Sequence, residues 1–259
     1  MGGVLYYDNG PRGEIWKLDL GSGHDAKLGF GLAPTPTKEG TLIFVSNDLV
    51  ESAEDLTALR VIVKYDTDIE KSNNGFHDPQ VSPDGKLVAY ATNDHNLYVA
   101  QRSDGAIVAR FDDKKTGSDG LYRPTWTPDG RIVVGGGFGN QGLFISDAGL
   151  KTLTRFDKGL AQPSLPAVSP DGTRVAFVLS DQIYVVGIDG TGLKKITNDV
   201  DTHSYPTWSP DGSRLAYTSA GHLDFVPIEG GEASNIFDLY PEFKDHHLIF
   251  SVSNQFAWK

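Results

Sequence analysis

Nine side chains able to bind a ligand or move a proton stand one to three residues ahead of a proline: His77, Asp78, Tyr122, Arg123, Ser164, His203, Tyr205, Asp238 and Tyr240. An imidazole beside a carboxylate can ligate a divalent metal or pass a proton near neutral pH. His77 with Asp78 makes one such pair, and His203, His95 and His222 supply further ring nitrogens. Arg123 is the one basic group of the set, so it either pairs with Asp78 and Asp238 or waits for an anionic ligand. The tyrosines add rigid aromatic area with a hydroxyl, a mixture enriched at recognition surfaces. Whether these groups act together depends on what gathers the prolines.

A repeat gathers them. Ser82-Pro83-Asp84-Gly85, Ser169-Pro170-Asp171-Gly172 and Ser209-Pro210-Asp211-Gly212 are identical, and Thr127-Pro128-Asp129-Gly130 differs by one hydroxyl-bearing residue. Each follows a Pro-x-apolar step beginning at Pro79, Pro124, Pro166 or Pro206. A weaker copy begins at Pro34 and an eroded one at Pro241, so the leading prolines recur every 35 to 45 residues. Proline at the second turn position, Asp at the third and Gly at the last build a tight turn. Alternating apolar runs follow each turn, among them residues 86–91, 131–134, 173–178 and 213–218, and read as strands. Four short strands per repeat leave no room for a crossover helix, which points to an all-β, six-bladed β-propeller of four-stranded antiparallel blades. Seven blades is the alternative, but 259 residues shared among six gives about 43 each, inside the observed spacing. One domain spanning 1–259 is expected, its ring closed by segment 240–259, with the Pro241 copy pairing with residues 4–9. Residues 248–253 and 256–259 are left without a place in that scheme. Residues 51–58 alone look briefly helical. The stretch 47–58 reads as a lengthened loop whose acids are either solvated or a lid for a partner.

Taking residues 4–30 as the first blade puts His77 and His95 in the third and His203 and His222 in the sixth, opposite one another. The residues before each Pro are then expected to ring the mouth of the central channel. Trp126, Trp208, Phe243, Val81 and Val168 share one repeat position and are expected to pack between blades.

The Pro-x-[Trp/Val]-[Ser/Thr]-Pro-Asp-Gly pattern resembles the WD40-like propeller repeats of TolB and of the dipeptidyl peptidase gating domain. The resemblance covers essentially the whole chain. It implies a binding scaffold for a protein, peptide or small ligand at the channel mouth, with no cofactor. The TolB α/β N-terminal domain has no counterpart, and no Trp-Asp dipeptide marks a true WD40 repeat. Two rivals share the repeat pattern: a metal-assisted enzyme such as a polysaccharide lyase of the oligogalacturonate lyase kind, and a gating module for a hydrolase on another chain.

Composition narrows the classes further. With 23 basic against 34 acidic residues the net charge is −11, which disfavours nucleic acid. Cysteine is absent, which removes disulfides, thiolate metal sites and cysteine nucleophiles. No apolar run is long enough for a membrane span. A monomer is expected, periplasmic or extracellular if a leader was removed and cytoplasmic otherwise. No G-x-S-x-G, H-E-x-x-H or Walker motif occurs. Residues 137–142 fit GxGxxG, but a strand follows where a dinucleotide site needs a helix. Residues 66–70 begin like a calcium loop, but Lys71 stands where that loop turns on glycine.

Overall fold

In a computed structural model, which describes residues 2–10, 13–65, 75–137, 141–241 and 256–259, every Ser/Thr-Pro-Asp-Gly tetrapeptide closes a hairpin. The glycine takes a left-handed conformation, φ +72° at Gly172, and its N–H donates to the carbonyl of the opening Ser or Thr. The aspartate ties the turn from inside. Asp211 Oδ1 accepts from Ser209 Oγ at 2.6 Å, Ser213 N at 3.0 Å and Ser213 Oγ at 2.8 Å. These donors, Ser209 first, hold the Asp211 carboxyl down at about 2. The ordinary value in an unfolded chain is about 3.9. Its stabilisation is therefore complete above pH ~4 and is lost as pH falls through ~2. Urea midpoints of the parent and Asp211→Asn should differ at pH 6 and converge toward pH 2; a constant difference would show that the charge plays no part.

The strands assemble into six four-stranded antiparallel sheets. Blade 2 runs from the channel outward through Leu32–Pro36, Thr41–Ser46, Asp48–Ala53 and Arg60–Val63. Blade 3 uses Phe76–Val81, Leu87–Thr92, Leu97–Gln101 and Ile107–Phe111, and blades 4, 5 and 6 start at Leu121, Ser164 and His203. Blade 1 takes its inner strand from the other end of the chain. Phe256–Trp258 pairs with Val4–Asp8, setting Leu5 opposite Trp258 and Tyr7 opposite Phe256. This corrects the pairing expected for Pro241, which is exposed beyond a short helix, Ile236–Leu239; the rest of that copy, residues 242–247, lies outside the described residues, as do 248–253. Phe256-Ala257-Trp258 matches Pro206-Thr207-Trp208 in register, because Trp208 faces Leu215 as Trp258 faces Leu5. Trp258 therefore holds the repeat position assigned to Phe243, itself outside the described residues.

Every proline-led inner strand carries one bulge. In blade 3, His77 faces Ala91 while Gln80 faces Ala89, so Asp78 and Pro79 share a single opposing residue. The same extra residue appears in blades 2, 4, 5 and 6. Proline suits the interruption because it has no N–H to give the ladder. The residue before it turns left-handed: φ is +52° at Ala33, +51° at Asp78, +56° at Arg123, +52° at Leu165 and +54° at Tyr205.

Apolar side chains from facing sheets fill the space between blades. Tyr217, Leu215 and Trp208 of blade 6 pack on Ala176, Val178 and Ile183 of blade 5. Indole N–H groups add ties: Trp126 donates to the Gln80 carbonyl and Trp208 to that of Ala167, each in the preceding blade. The stretch 47–58 is neither helix nor lid, because Asp48–Ala53 is a strand. Glu51 is buried and meets Arg102 of blade 3 and Arg60 of its own blade. Burial works to raise its carboxyl, yet hydrogen bonds from Arg102, Thr41 and Arg60 hold it at about 2. Glu54 accepts from Tyr6 Oη of blade 1 at 2.6 Å. Glu51 and Glu54 thus bind blade to blade. Among the described residues the helices are Asp113–Thr116 and Ile236–Leu239, and none is long and apolar enough to cross a membrane.

Candidate functional site

The bulges decide what the channel presents. A left-handed residue on an inner strand turns its side chain out of the pleat, and Ala33, Asp78, Arg123, Leu165 and Tyr205 all line channel cavities. The hairpins between second and third strands form the upper face; the Asp-Gly turns form the lower one.

On the upper side a recess of about 1200 Å3 opens over blades 1 to 3. Asp8, Asp48, Asp78 and His77 line it, and no Lys or Arg does among the described residues. Asp8 is buried, accepting from Ala33 N and Gly10 N at 2.8 Å each. Burial raises its carboxyl; those two amides work the other way, and Asp78 adds to the rise. Asp48 accepts from Tyr65 N at 2.6 Å. Asp78 accepts from the backbone N–H of Arg123 at 3.3 Å. A smaller recess of about 340 Å3 lies over blades 4 to 6, lined by Asp78, Tyr122, Arg123, Ser164, Leu165 and Tyr205 among others.

Arg123 answers the question posed by its isolation. It is 7% exposed, its Nη1 has no hydrogen-bond partner, and it forms no ion pair with Asp78 or Asp238 among the described residues. Its guanidinium lies 4.6 Å from the centroid of the Tyr205 ring. Burial raises the Tyr205 hydroxyl, Arg123 opposes the rise, and Asp78 and Asp8 add to it.

The remaining expected site residues separate. His77 is exposed at the upper rim, bonded to Asn93 Oδ1. His203 is 1% exposed between blades 5 and 6: Nε2 meets Asp199 Oδ1 at 2.8 Å and the ring stands edge-on to Tyr217 at 4.9 Å. It stands three residues before its proline, two short of the bulge, and so faces the blade interface instead of the channel. Asp238 is exposed on the helix Ile236–Leu239, and Tyr240 donates its hydroxyl to the Leu20 carbonyl, tying blade 6 to blade 1. His95 is exposed, its ring 6.1 Å from that of Tyr122. His222 Nδ1 is 4.0 Å from Asp224 Oδ1. Among the described residues no three His, Asp or Glu converge as ligands of one metal ion. Residues 66–71 lie outside the described residues, as do 138–140 of the glycine-rich stretch, which runs from strand Ile132–Gly136 into strand Leu143–Ser146. Sequence reasoning missed Asp8, Ala33 and Leu165. The last two were findable, since they hold the place before Pro34 and Pro166 that Asp78 holds before Pro79.

No family model matches the chain. Over 85 residues it is 33% identical to the Tol-Pal system protein TolB of Francisella tularensis subsp. tularensis (strain WY96-3418), a stretch covering 30% of this chain and 20% of that protein. The Tol-Pal system protein TolB of Anaeromyxobacter sp. (strain K) is 35% identical over 88 residues, 30% and 19% of the two chains. The matched stretch is thus about a fifth of the length of these relatives. Among solved structures, a putative TolB from Agrobacterium tumefaciens superposes with a TM-score of 0.71 at 18% identity, covering 91% of this chain and 88% of that one. TolB from Acinetobacter baumannii gives 0.71 at 16% identity, covering 99% and 66%. Hydrazine synthase of Kuenenia stuttgartiensis gives 0.65 at 13% identity, covering 88% and 74%, so the superposition speaks for the fold alone. Repeat, blade count and superposition together make this chain a TolB-like β-propeller.

Proposed function

We propose that the chain is a non-catalytic scaffold that binds a partner protein at its upper channel mouth, through a cationic segment of that partner. The observation that carries the reading is the acidic recess, in which Asp8, Asp48 and Asp78 converge with no Lys or Arg among the described lining. A concave mouth of one sign draws and orients the opposite charge. The likeness to proteins named for the Tol-Pal system supports a protein as the partner and a periplasmic setting.

Photo-crosslinking in the producing cell tests this. A photoreactive residue at exposed Asn47, on the upper rim, should trap one discrete protein adduct, whereas one at Ser213, beside a lower turn, should not. Asp48→Asn with Asp78→Asn should cut the Asn47 adduct by about tenfold, the scale of one or two charge-assisted contacts. Equal adducts from both faces, or an adduct indifferent to the two substitutions, would overturn the reading.

A further inference from the structure

The lower end of the channel has the opposite character. Below the bulges the inner strands enclose a pocket of about 420 Å3, lined by Pro124, Pro166 and Pro206 and by Trp126, Trp208 and Trp258. The three indole N–H groups are already spent, on the carbonyls of Gln80, Ala167 and Gly2, so the wall offers apolar ring surface. The charged residues lining it are Lys38 and Arg123, and no carboxylate lines it among the described residues. Asp84, Asp129, Asp171 and Asp211 stand at the surrounding turns, each accepting from its own turn's hydroxyl. Lys38 Nζ donates to the Pro83 carbonyl at 2.9 Å.

Arg123 borders both this pocket and the smaller upper recess, and with Tyr205 it stands across the channel between them. A guanidinium nine-tenths buried, without a carboxylate and with Nη1 unbonded, carries an unmet demand for an anion. From above, through the smaller recess that Arg123 borders, an anion would have to pass Asp78. From below, once past the turn aspartates at the rim, the charged lining it meets is Lys38 and Arg123.

We infer that the lower pocket takes a small organic carboxylate, its apolar body against the Trp and Pro wall and its carboxylate on the Arg123 guanidinium. The volume suits one small molecule. A planar carboxylate matches the guanidinium fork, and an inorganic anion would leave the apolar wall uncovered. This goes beyond the upper-mouth reading and stands or falls without it.

The tryptophans provide the readout. In a fluorescence titration at pH 7, 3-phenylpropionate should give a saturable change, with half-saturation below ~1 mM. Its uncharged analogue 3-phenylpropionamide should bind about tenfold or more weakly, as should the acid to Arg123→Gln. Arg123→Lys, which keeps the charge and loses the fork, should fall between, and serves if Arg123→Gln does not fold. Asp48→Asn should bind the acid as the parent does, which separates this site from the upper mouth. Equal binding of acid and amide, unchanged affinity in a folded Arg123 variant, or no saturation by ~10 mM would overturn the proposal. Inorganic phosphate competing as well as the acid would overturn the carboxylate class.

Discussion

Gly105→Ala should lower stability by on the order of 4 kcal/mol, near the upper end of single substitutions. Gly105 closes the outer turn of blade 3 at φ +74°, and a Cβ there would lie 2.0 Å from the Ile62 carbonyl oxygen of blade 2. That oxygen is backbone in a paired strand, Arg60–Val63, so it cannot swing aside as a side chain would. Arg60 fastens the same junction, donating to the carbonyls of Arg102 and Ser103 at 2.9 and 3.1 Å. Relief requires blades 2 and 3 to part. Gly221→Ala isolates the backbone part of the cost: φ is +86° there, but no atom lies within 4 Å of the added carbon. It should cost about 1 kcal/mol. Gly190, whose Cβ would meet the Phe156 carbonyl oxygen of blade 4 at 2.4 Å, should behave like Gly105. Denaturant unfolding of the three variants settles the matter, and a Gly105→Ala no worse than Gly221→Ala would refute close outer packing of blades.

Removing residues 256–259 should abolish cooperative unfolding of the ring. The loss includes the ladder to Val4–Asp8, the pair of bonds between Val4 and Lys259 at 2.7 and 2.9 Å, and the Phe256 side chain, 2% exposed among Leu5, Leu18 and Phe225. A buried Phe truncated to Ala costs about 3 to 5 kcal/mol. Each ladder bond adds about 1 kcal/mol. Together these rival the 5 to 15 kcal/mol that holds a whole domain. The strand Val4–Asp8 would also become a bare edge open to pairing with other chains. Thermal unfolding followed by circular dichroism should lose its sharp transition, and Phe256→Ala alone should lower the midpoint. An unchanged midpoint in the truncated chain would mean that blade 1 holds without its inner strand.

The blades were legible because turn chemistry is local: Pro, Asp and Gly in fixed order close a hairpin whatever lies across it. The closing strand was hidden because Phe256 replaces the leading proline, while Pro241 offered a proline at nearly the right distance. Only ladder register distinguishes the two. The candidate site was half legible. Asp78, Arg123 and Tyr205 fall at the bulge and reach the channel, whereas His203 and Asp238, each three residues before a proline, do not. Counting residues to the proline ranks these positions only if the bulge is known. Asp8 had no such marker, since it reaches the site from the end of a second strand to bond the Ala33 amide of the next blade.

The bulge also separates two demands that most positions in a protein must satisfy at once. A residue in a packed sheet is chosen by its neighbours, but Ala33, Asp78, Arg123, Leu165 and Tyr205 are as different as side chains can be in size and charge, and all adopt the same left-handed geometry. The backbone penalty at these positions, about 1 kcal/mol or more, falls on every residue with a Cβ, least on Asp and most on side chains branched at Cβ. Each proline-led blade therefore holds one interchangeable letter facing the axis, and the word those letters spell can be rewritten without disturbing the wall on which it is printed. A channel of new polarity should need only a handful of substitutions, all of them in front of a proline.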